Sequence, residues 1–412
     1  MTLLHKTSTM PNLVKAWEGI RHRPDSKGID GLTIFTFGQN LTTHLKAIQK
    51  QMRAGTYKFQ PLKGVPLEKG NKKVRPLKVP AVADRVVQKA IQLQIQDKLN
   101  KHHHLNNAVS FAYIKDRRVS DAAFRIQELY ASGSRWVFSA DIINFFDNIR
   151  RDDLLNEYIY PYISKTDRSL DDLIANALKT EIGNRKQLEA RGKAEWFPES
   201  DSGVAQGGVL SPLFANVYLS KFDASMTKAG YTMVRYADDL VIMCKSEEEA
   251  KAAHLKVKNE LLELGLNIHP LPGDKLKAEK HSILGKFNRL LFLGLQFEGS
   301  RLYPSDKQFK KMIAGLRSMP IKEKPLVDNL EHIRKQAIAW GATYYFTDID
   351  LTRYTPLNQA LEVALRSTMK WYGFQRPLNR KLSRKIVERI GSIYFDVAVS
   401  KAKTSAKKKQ SK

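Results

Sequence analysis

The sequence predicts an α+β protein of more than one lobe, and three observations carry that prediction. Residues 130–300 mix strand-like runs with helix-like periodicity, so strands and helices there belong to one layered body. Beyond Tyr303 the pattern becomes helical. At 412 residues with 42% hydrophobic content, the chain is too long for one compact core and can fill two or three lobes.

In chain order, Leu41, Leu45, Ile48 and Met52 share one face and predict a helix over 41–53. The stretch TYKFQPLKGVPLEKGNKKVRPLKVP reads as short extended runs around a turn at Lys69, Gly70, Asn71 and Lys72. It carries six Lys or Arg between Lys63 and Lys78 against the single acid Glu68, which suits a basic hairpin or a solvated loop. SRWVFSAD is a strand ending at Asp141, and the chain turns helical after Asp147. VRY and LVIMC read as the two strands of a hairpin. Farther on, Ser305 to Gln308 reads as a capping box for a helix presenting Phe309, Met312, Ile313 and Leu316. A helix with Leu330, Ile333, Ala337 and Trp340 follows, then one opened by Thr355 and Pro356 that carries Leu357, Leu361, Leu365 and Met369. The end, SKAKTSAKKKQSK, holds six Lys in 13 residues and is expected to be disordered, with affinity for phosphates.

Sixty-nine Lys plus Arg face 42 Asp plus Glu, a formal net charge of +27 that favours a polyanionic partner, nucleic acid first and an acidic membrane surface second. The one cysteine, Cys244, excludes a disulfide framework and a Cys-ligated zinc or nuclease module, and fits a reducing, cytoplasmic location. The sequence shows neither a secretion signal nor an apolar run approaching the ~18 residues of a membrane span.

The chemistry concentrates in MVRYADDLVIMC, where Asp238 and Asp239 stand side by side between apolar runs. Alone, the pair could be a polar hairpin turn. With Asp141, which closes another strand, it makes a set of hard oxygen ligands suited to Mg²⁺. Two such ions about 4 Å apart can activate a hydroxyl and stabilise a pyrophosphate leaving group. His102, His103 and His104 point different ways on a helix and are expected to form a surface patch, not a metal site.

SADIINFFDNI, GVAQGGVLSPLFANVYL and YADD together resemble the palm motifs of reverse transcriptases, in particular the group II intron-encoded and related bacterial enzymes, defence-associated ones included. SKGIDGL, VRPLKVPAVADRVVQKAI, LGLNIHPLPGDK and FLGLQF extend the similarity in the same order over about residues 25 to 300. The resemblance implies a right-hand polymerase with fingers, a ferredoxin-like palm and a helical thumb. Its expected boundaries are 1–130 for an N-terminal extension and fingers, 131–300 for the palm with part of the fingers, 301–398 for the thumb and 399–412 for the basic tail. It implies an RNA-directed DNA polymerase using Mg²⁺, with Mn²⁺ as substitute. Asp141 and Asp238 would bridge two metal ions and Asp239 would add charge or orientation.

By the same resemblance Phe146 is a steric gate beneath the sugar, although a bare Phe in NFFDN would be read as core. Gln206 lies beside the incoming nucleotide, and Arg75, Arg85 and Lys73 are candidate clamps on its triphosphate. From the residues alone, Gly207 and Gly208 make a turn before a helix that Ser211 caps and in whose first turn Pro212 stands. Lys275 is placed to protonate the leaving pyrophosphate, and Phe292, Leu293 and Gly294 correspond to the primer grip, where LLFLGL alone reads as a buried strand. The implied partners are an RNA template, a DNA or RNA primer, deoxynucleotides and a dedicated noncoding or intron RNA. Two departures stand out: AYIKDRRVSDA replaces a GFRPGRSxHDA-type stretch, and Lys78 replaces the glycine that usually precedes the Ile-Pro of the fingers motif. They favour a domesticated role such as antiphage defence over a splicing maturase, the alternative reading. An RNA-dependent RNA polymerase is a further rival.

Overall fold

The computed structural model describes residues 1–68, 74–163, 165–198, 201–272, 282–319, 323, 325–373 and 393–410. The chain divides into two compact units, Met1–Gly285 and Lys286–Lys412.

In the first unit the helix Leu41–Arg53 forms as the periodicity predicts and buries Leu45, Ile48 and Met52. Strands β1 (Lys63–Glu68) and β2 (Val74–Val79) pair antiparallel, Lys63 opposite Val79 and Glu68 opposite Val74, so the basic segment is a hairpin whose turn lies outside the described residues. The helix Val82–His102 follows directly and is buried around much of its circumference, polar Asp84, Arg85 and Gln88 included.

A four-stranded sheet comprises β3 (Trp136–Asp141), β4 (Thr232–Tyr236), β5 (Asp239–Cys244) and β6 (Ile283–Lys286) in the spatial order β4-β5-β3-β6. A run of helical segments from Phe145–Asn148 onward separates β3 from β4 and ends in Ser211–Tyr218 and Ser220–Lys228, and Glu247–Glu263 separates β5 from β6. Strand, helix, strand, strand, helix, strand in that order is the split βαβ topology of a ferredoxin-like sheet, the palm of a right-hand polymerase fold. Every residue from Leu240 to Cys244 is buried, as in a central strand covered on both faces. Burial pushes the Cys244 thiol up to about 12, which makes it a packing residue.

The second unit holds a three-stranded meander of β7 (Arg289–Phe292), β8 (Leu295–Glu298) and β9 (Arg301–Pro304), followed by helices Asp306–Arg317, Leu326–Tyr344, Leu351–Trp371 and Phe395–Gln410. It therefore starts before residue 301, where the sequence suggested a thumb, because the meander belongs to it. Its core gathers Phe309, Trp340, Tyr354, Leu361 and Phe395.

Three local expectations are corrected. Ser305 precedes its helix, but its side chain makes no capping bond. The helix expected to open at Thr355 and Pro356 begins at Leu351, because the Asp350 carboxylate accepts from the Thr352 amide and supplies the cap, leaving Pro356 inside. The basic tail expected to be disordered is helical to Gln410, since that helix buries Phe395, Ala398 and Val399 against its neighbours.

Candidate active site

Asp141 ends β3, directly opposite Asp239, which begins β5. Tyr236 also pairs with Asp239, so Ala237 and Asp238 form a two-residue turn between β4 and β5. Three acids distant in sequence thus meet at one end of a buried sheet. The Ile142 amide donates to the Asp238 carbonyl at 3.0 Å and ties the turn to the end of β3. Oxygens of Asp141, Asp238 and Asp239 lie within 4.8 Å of one another, each residue half-buried. At that spacing each ionised pair repels by about 3–4 kcal/mol for an effective dielectric near 20. A divalent cation offsets this repulsion, and Mg²⁺ needs only one or two protein carboxylates beside waters and phosphate oxygens. The donor set therefore fits a hard cation such as Mg²⁺.

The turn is held from behind. Ala237 has φ +57°, a left-handed conformation strained for any residue with a Cβ. Its carbonyl accepts from Arg235 Nη1 at 3.1 Å. Arg235 is fully buried; Asp223 accepts from its Nε at 2.7 Å and its Nη2 at 2.5 Å. Its remaining reach goes to Asn216 Oδ1 at 3.2 Å and Ser110 Oγ at 3.0 Å. These residues escaped the sequence reading, although an Arg amid the apolar positions of β4 is itself a signal of a buried partner.

Asp141 also faces His269, whose Nε2 lies 3.5 Å from Asp141 Oδ2. The segment around His269 runs along the continuation of β3: Ile268 bridges Ile142, and the Ile143 amide donates to Asn267 at 2.7 Å. Tyr113, within the AYIKDRRVSDA stretch, is exposed and has φ +60°. Partial burial first, then the charge of Asp238, pushes its phenol pKa up, against the opposing influence of Arg75. Both residues sit at the acid cluster and neither was singled out from sequence.

Phe146 lies in a one-turn helix, Phe145–Asn148, entered through Asn144 at φ +46°. It is 8% exposed, its ring 5.4 Å from that of Phe145, and its carbonyl accepts from the Val204 amide at 2.7 Å. Gln206 is half-buried; its carbonyl accepts from the Lys78 amide at 2.9 Å, and among the described residues its Oε1 has no hydrogen-bond partner. Gly207, at φ +120°, runs so close to Lys78 that a Cβ would sit 3.0 Å from the Lys78 carbonyl oxygen. Ser211 is the first residue of its helix, not the cap, and its Oγ donates to the Ala205 carbonyl.

Of the candidate triphosphate clamps, Arg75 is exposed on β2. Arg85 is buried, donating from Nε to the Pro80 carbonyl at 2.9 Å and from Nη1 to Ser26 Oγ at 2.8 Å, which fastens it to the SKGIDGL segment, while among the described residues its Nη2 has no hydrogen-bond partner. Lys73 and Lys275 lie outside the described residues. Phe292, Leu293 and Gly294 belong to the second unit, where φ of +53° at Leu293 and +75° at Gly294 makes them a tight turn from β7 to β8 in place of one buried strand. His103 departs from the expected surface patch: its ring reaches the Tyr158 carbonyl at 2.7 Å and Ser220 Oγ at 3.1 Å, and burial lowers its pKa.

Residues 67–297, more than half of the chain, match the family model described as reverse transcriptase (RNA-dependent DNA polymerase). The protein YkfC of Escherichia coli K12 is 27% identical over 203 residues, 48% of this chain and 49% of that protein. The group II intron-encoded protein LtrA of Lactococcus lactis subsp. cremoris is 26% identical over 232 residues, 56% of this chain and 35% of that one. The chain thus spans half or less of these curated relatives. Among solved structures, apo telomerase from Candida tropicalis aligns with 89% of this chain and 67% of its own, at 13% identity and a TM-score of 0.42. No helix of the described residues is long and apolar enough to cross a membrane.

Proposed function

The chain belongs to the reverse transcriptase family, and from that premise we propose that it extends a primer with deoxynucleotides on an RNA template. The observation that carries this reading is the convergence of Asp141, Asp238 and Asp239 within 4.8 Å at the ends of paired strands. Asp141 and Asp238 would hold divalent metal, with Asp239 adding negative charge. The metal supplies activation of the primer hydroxyl and stabilisation of the departing pyrophosphate. Phe146 would bound the sugar, and Gln206 with Gly207 would bring backbone and an unpartnered amide oxygen to the nucleotide. Exposed Arg75, and Arg85 through its unpartnered Nη2, are the described candidates for the triphosphate. The +27 net charge suits a nucleic-acid duplex.

Primer extension on matched RNA and DNA templates, offering deoxynucleotides and ribonucleotides separately, tests the proposal. Wild type should extend on RNA with deoxynucleotides, and the Asp238→Ala, Asp239→Ala double variant should not. Extension with ribonucleotides alone would replace the reading with an RNA-dependent RNA polymerase. Equal extension by the double variant would remove the acids from the chemistry. Sequencing the nucleic acid that co-purifies separates the two expected settings, an intron-type retroelement and an antiphage role served by a dedicated RNA.

A further inference from the structure

Lys78 stands where the resemblance led us to expect glycine, and the structure buries it. It is 3% exposed, and its Nζ donates to Asp147 Oδ1 at 3.1 Å across 69 positions of sequence. Burying an ammonium is costly unless it is paired, so the Lys78 side chain is committed to this partner. Asp147 is the next residue after Phe146. The same Lys78 fixes the glutamine segment through its amide bond to Gln206 and the close passage of Gly207 over its carbonyl. One residue of β2 therefore touches both the turn that carries Phe146 and the segment that carries Gln206.

That turn is held on its other side by backbone. The Val204 amide donates to the Phe146 carbonyl, Gly203 passes so close that a Cβ would sit 2.7 Å from the Asp147 carbonyl oxygen, and Ser202 Oγ donates to that oxygen at 3.3 Å. With that strip on its carbonyls and an ion pair on Asp147, the backbone that carries the Phe146 ring has little freedom to shift. A ring that cannot retreat excludes a 2′-hydroxyl; one that can does not.

We propose that Lys78 and Asp147 are positioning residues that latch β2 to the Phe146 turn and so set discrimination between deoxy- and ribonucleotides. The inference rests on the polymerase reading above and on Phe146 as the sugar gate. The test measures kcat/KM for dGTP and GTP on one primer-template, for wild type, Lys78→Met, Asp147→Asn and Phe146→Ala, and for each latch variant combined with Phe146→Ala. Either latch variant should lower the dGTP-to-GTP preference about tenfold, the scale of about 1.4 kcal/mol of differential transition-state binding. In the Phe146→Ala background neither should lower it further, a non-additivity that general destabilisation would not produce. Asp147 is partly exposed, so Asp147→Asn keeps the test open should Lys78→Met fail to fold. Unchanged preference in an active, folded Asp147→Asn protein overturns the latch and leaves the polymerase reading intact. A wild type that extends no primer overturns both, and Phe146→Ala with wild-type discrimination removes the gate on which the latch depends.

Discussion

The hairpin turn from β4 to β5 has a charged cluster on each side, and the two obey opposite rules. In front, Asp141, Asp238 and Asp239 crowd like charges into a half-buried space. Behind, Arg235 and Asp223 form a fully buried pair whose guanidinium donates to Asp223, Asn216, Ser110 and the Ala237 carbonyl. The front brings three carboxylates together, a crowding that a divalent cation would offset. The back is complete and holds Ala237 in its left-handed conformation. The turn is thus held from one side by a network of hydrogen bonds while like charges crowd its other side.

Neutralising the front should give the largest functional effect with the least structural damage. Asp238→Asn should lower primer extension by at least about 10²–10³-fold, the scale of losing one preorganised electrostatic contact. Its melting temperature without metal should match or exceed that of wild type, because a repulsion has been removed. Adding Mg²⁺ should raise the wild-type melting temperature more than that of the variant, since a cation bound only by the folded state stabilises it. A variant that melts well below wild type would show that the front cluster, too, is structural.

The back should respond the other way. Asp223→Ala leaves a buried guanidinium without its counter-charge, which costs about 3–5 kcal/mol. For a unit of this size that corresponds to a drop on the order of ten degrees in melting temperature. Replacing both partners, as Arg235→Met with Asp223→Leu, should recover part of that loss while activity stays low, because no donor then holds the Ala237 carbonyl. Calorimetry beside primer extension separates the two quantities. An Asp223→Ala protein with wild-type melting would deny the pair its anchoring role.

The contrast also explains what could be read from the chain. The three acids were legible because each sits at the edge of an apolar run, and a charge at a strand end advertises itself. Arg235 was not, because a single Arg inside a strand shows neither its burial nor a partner twelve positions earlier. Arg85 shows a related limit: the first turns of the helix Val82–His102 are buried on nearly all sides, so no polar face there distinguishes an inward Arg from a ligand-binding one. Lys78 pairs across 69 residues, a separation that no local pattern encodes. The meander that opens the second unit was not legible because its strands are only four residues each, too short for period-two alternation to stand out. Its terminal helix was missed because lysine content outweighed the apolar contacts that hold it: Gly341 lies against the backbone of Ala398, where a Cβ would come within 2.6 Å.

Asp84 sharpens the comparison as a buried acid with no cation at hydrogen-bonding distance among the described residues. Its carboxylate accepts from the Tyr57 hydroxyl at 2.7 Å and the Gln60 amide at 3.0 Å, and burial outweighs both bonds, pushing its pKa up to about 6. Because the folded state binds this proton more tightly than the unfolded chain does, its contribution is full below the unfolded value near 3.8 and fades as pH rises through 6. A difference of about two pK units is worth at most about 3 kcal/mol. Asp84→Asn should therefore flatten the pH dependence of unfolding between about pH 4 and 6 and leave the protein at pH 7.5 no less stable than wild type. Urea titrations across that range measure it. A slope that survives the substitution would place the titrating group elsewhere. A marked loss of stability at pH 7.5 would mean that the Tyr57 and Gln60 bonds outweigh the cost of the buried charge, as the Arg235 contacts do behind the β4–β5 turn.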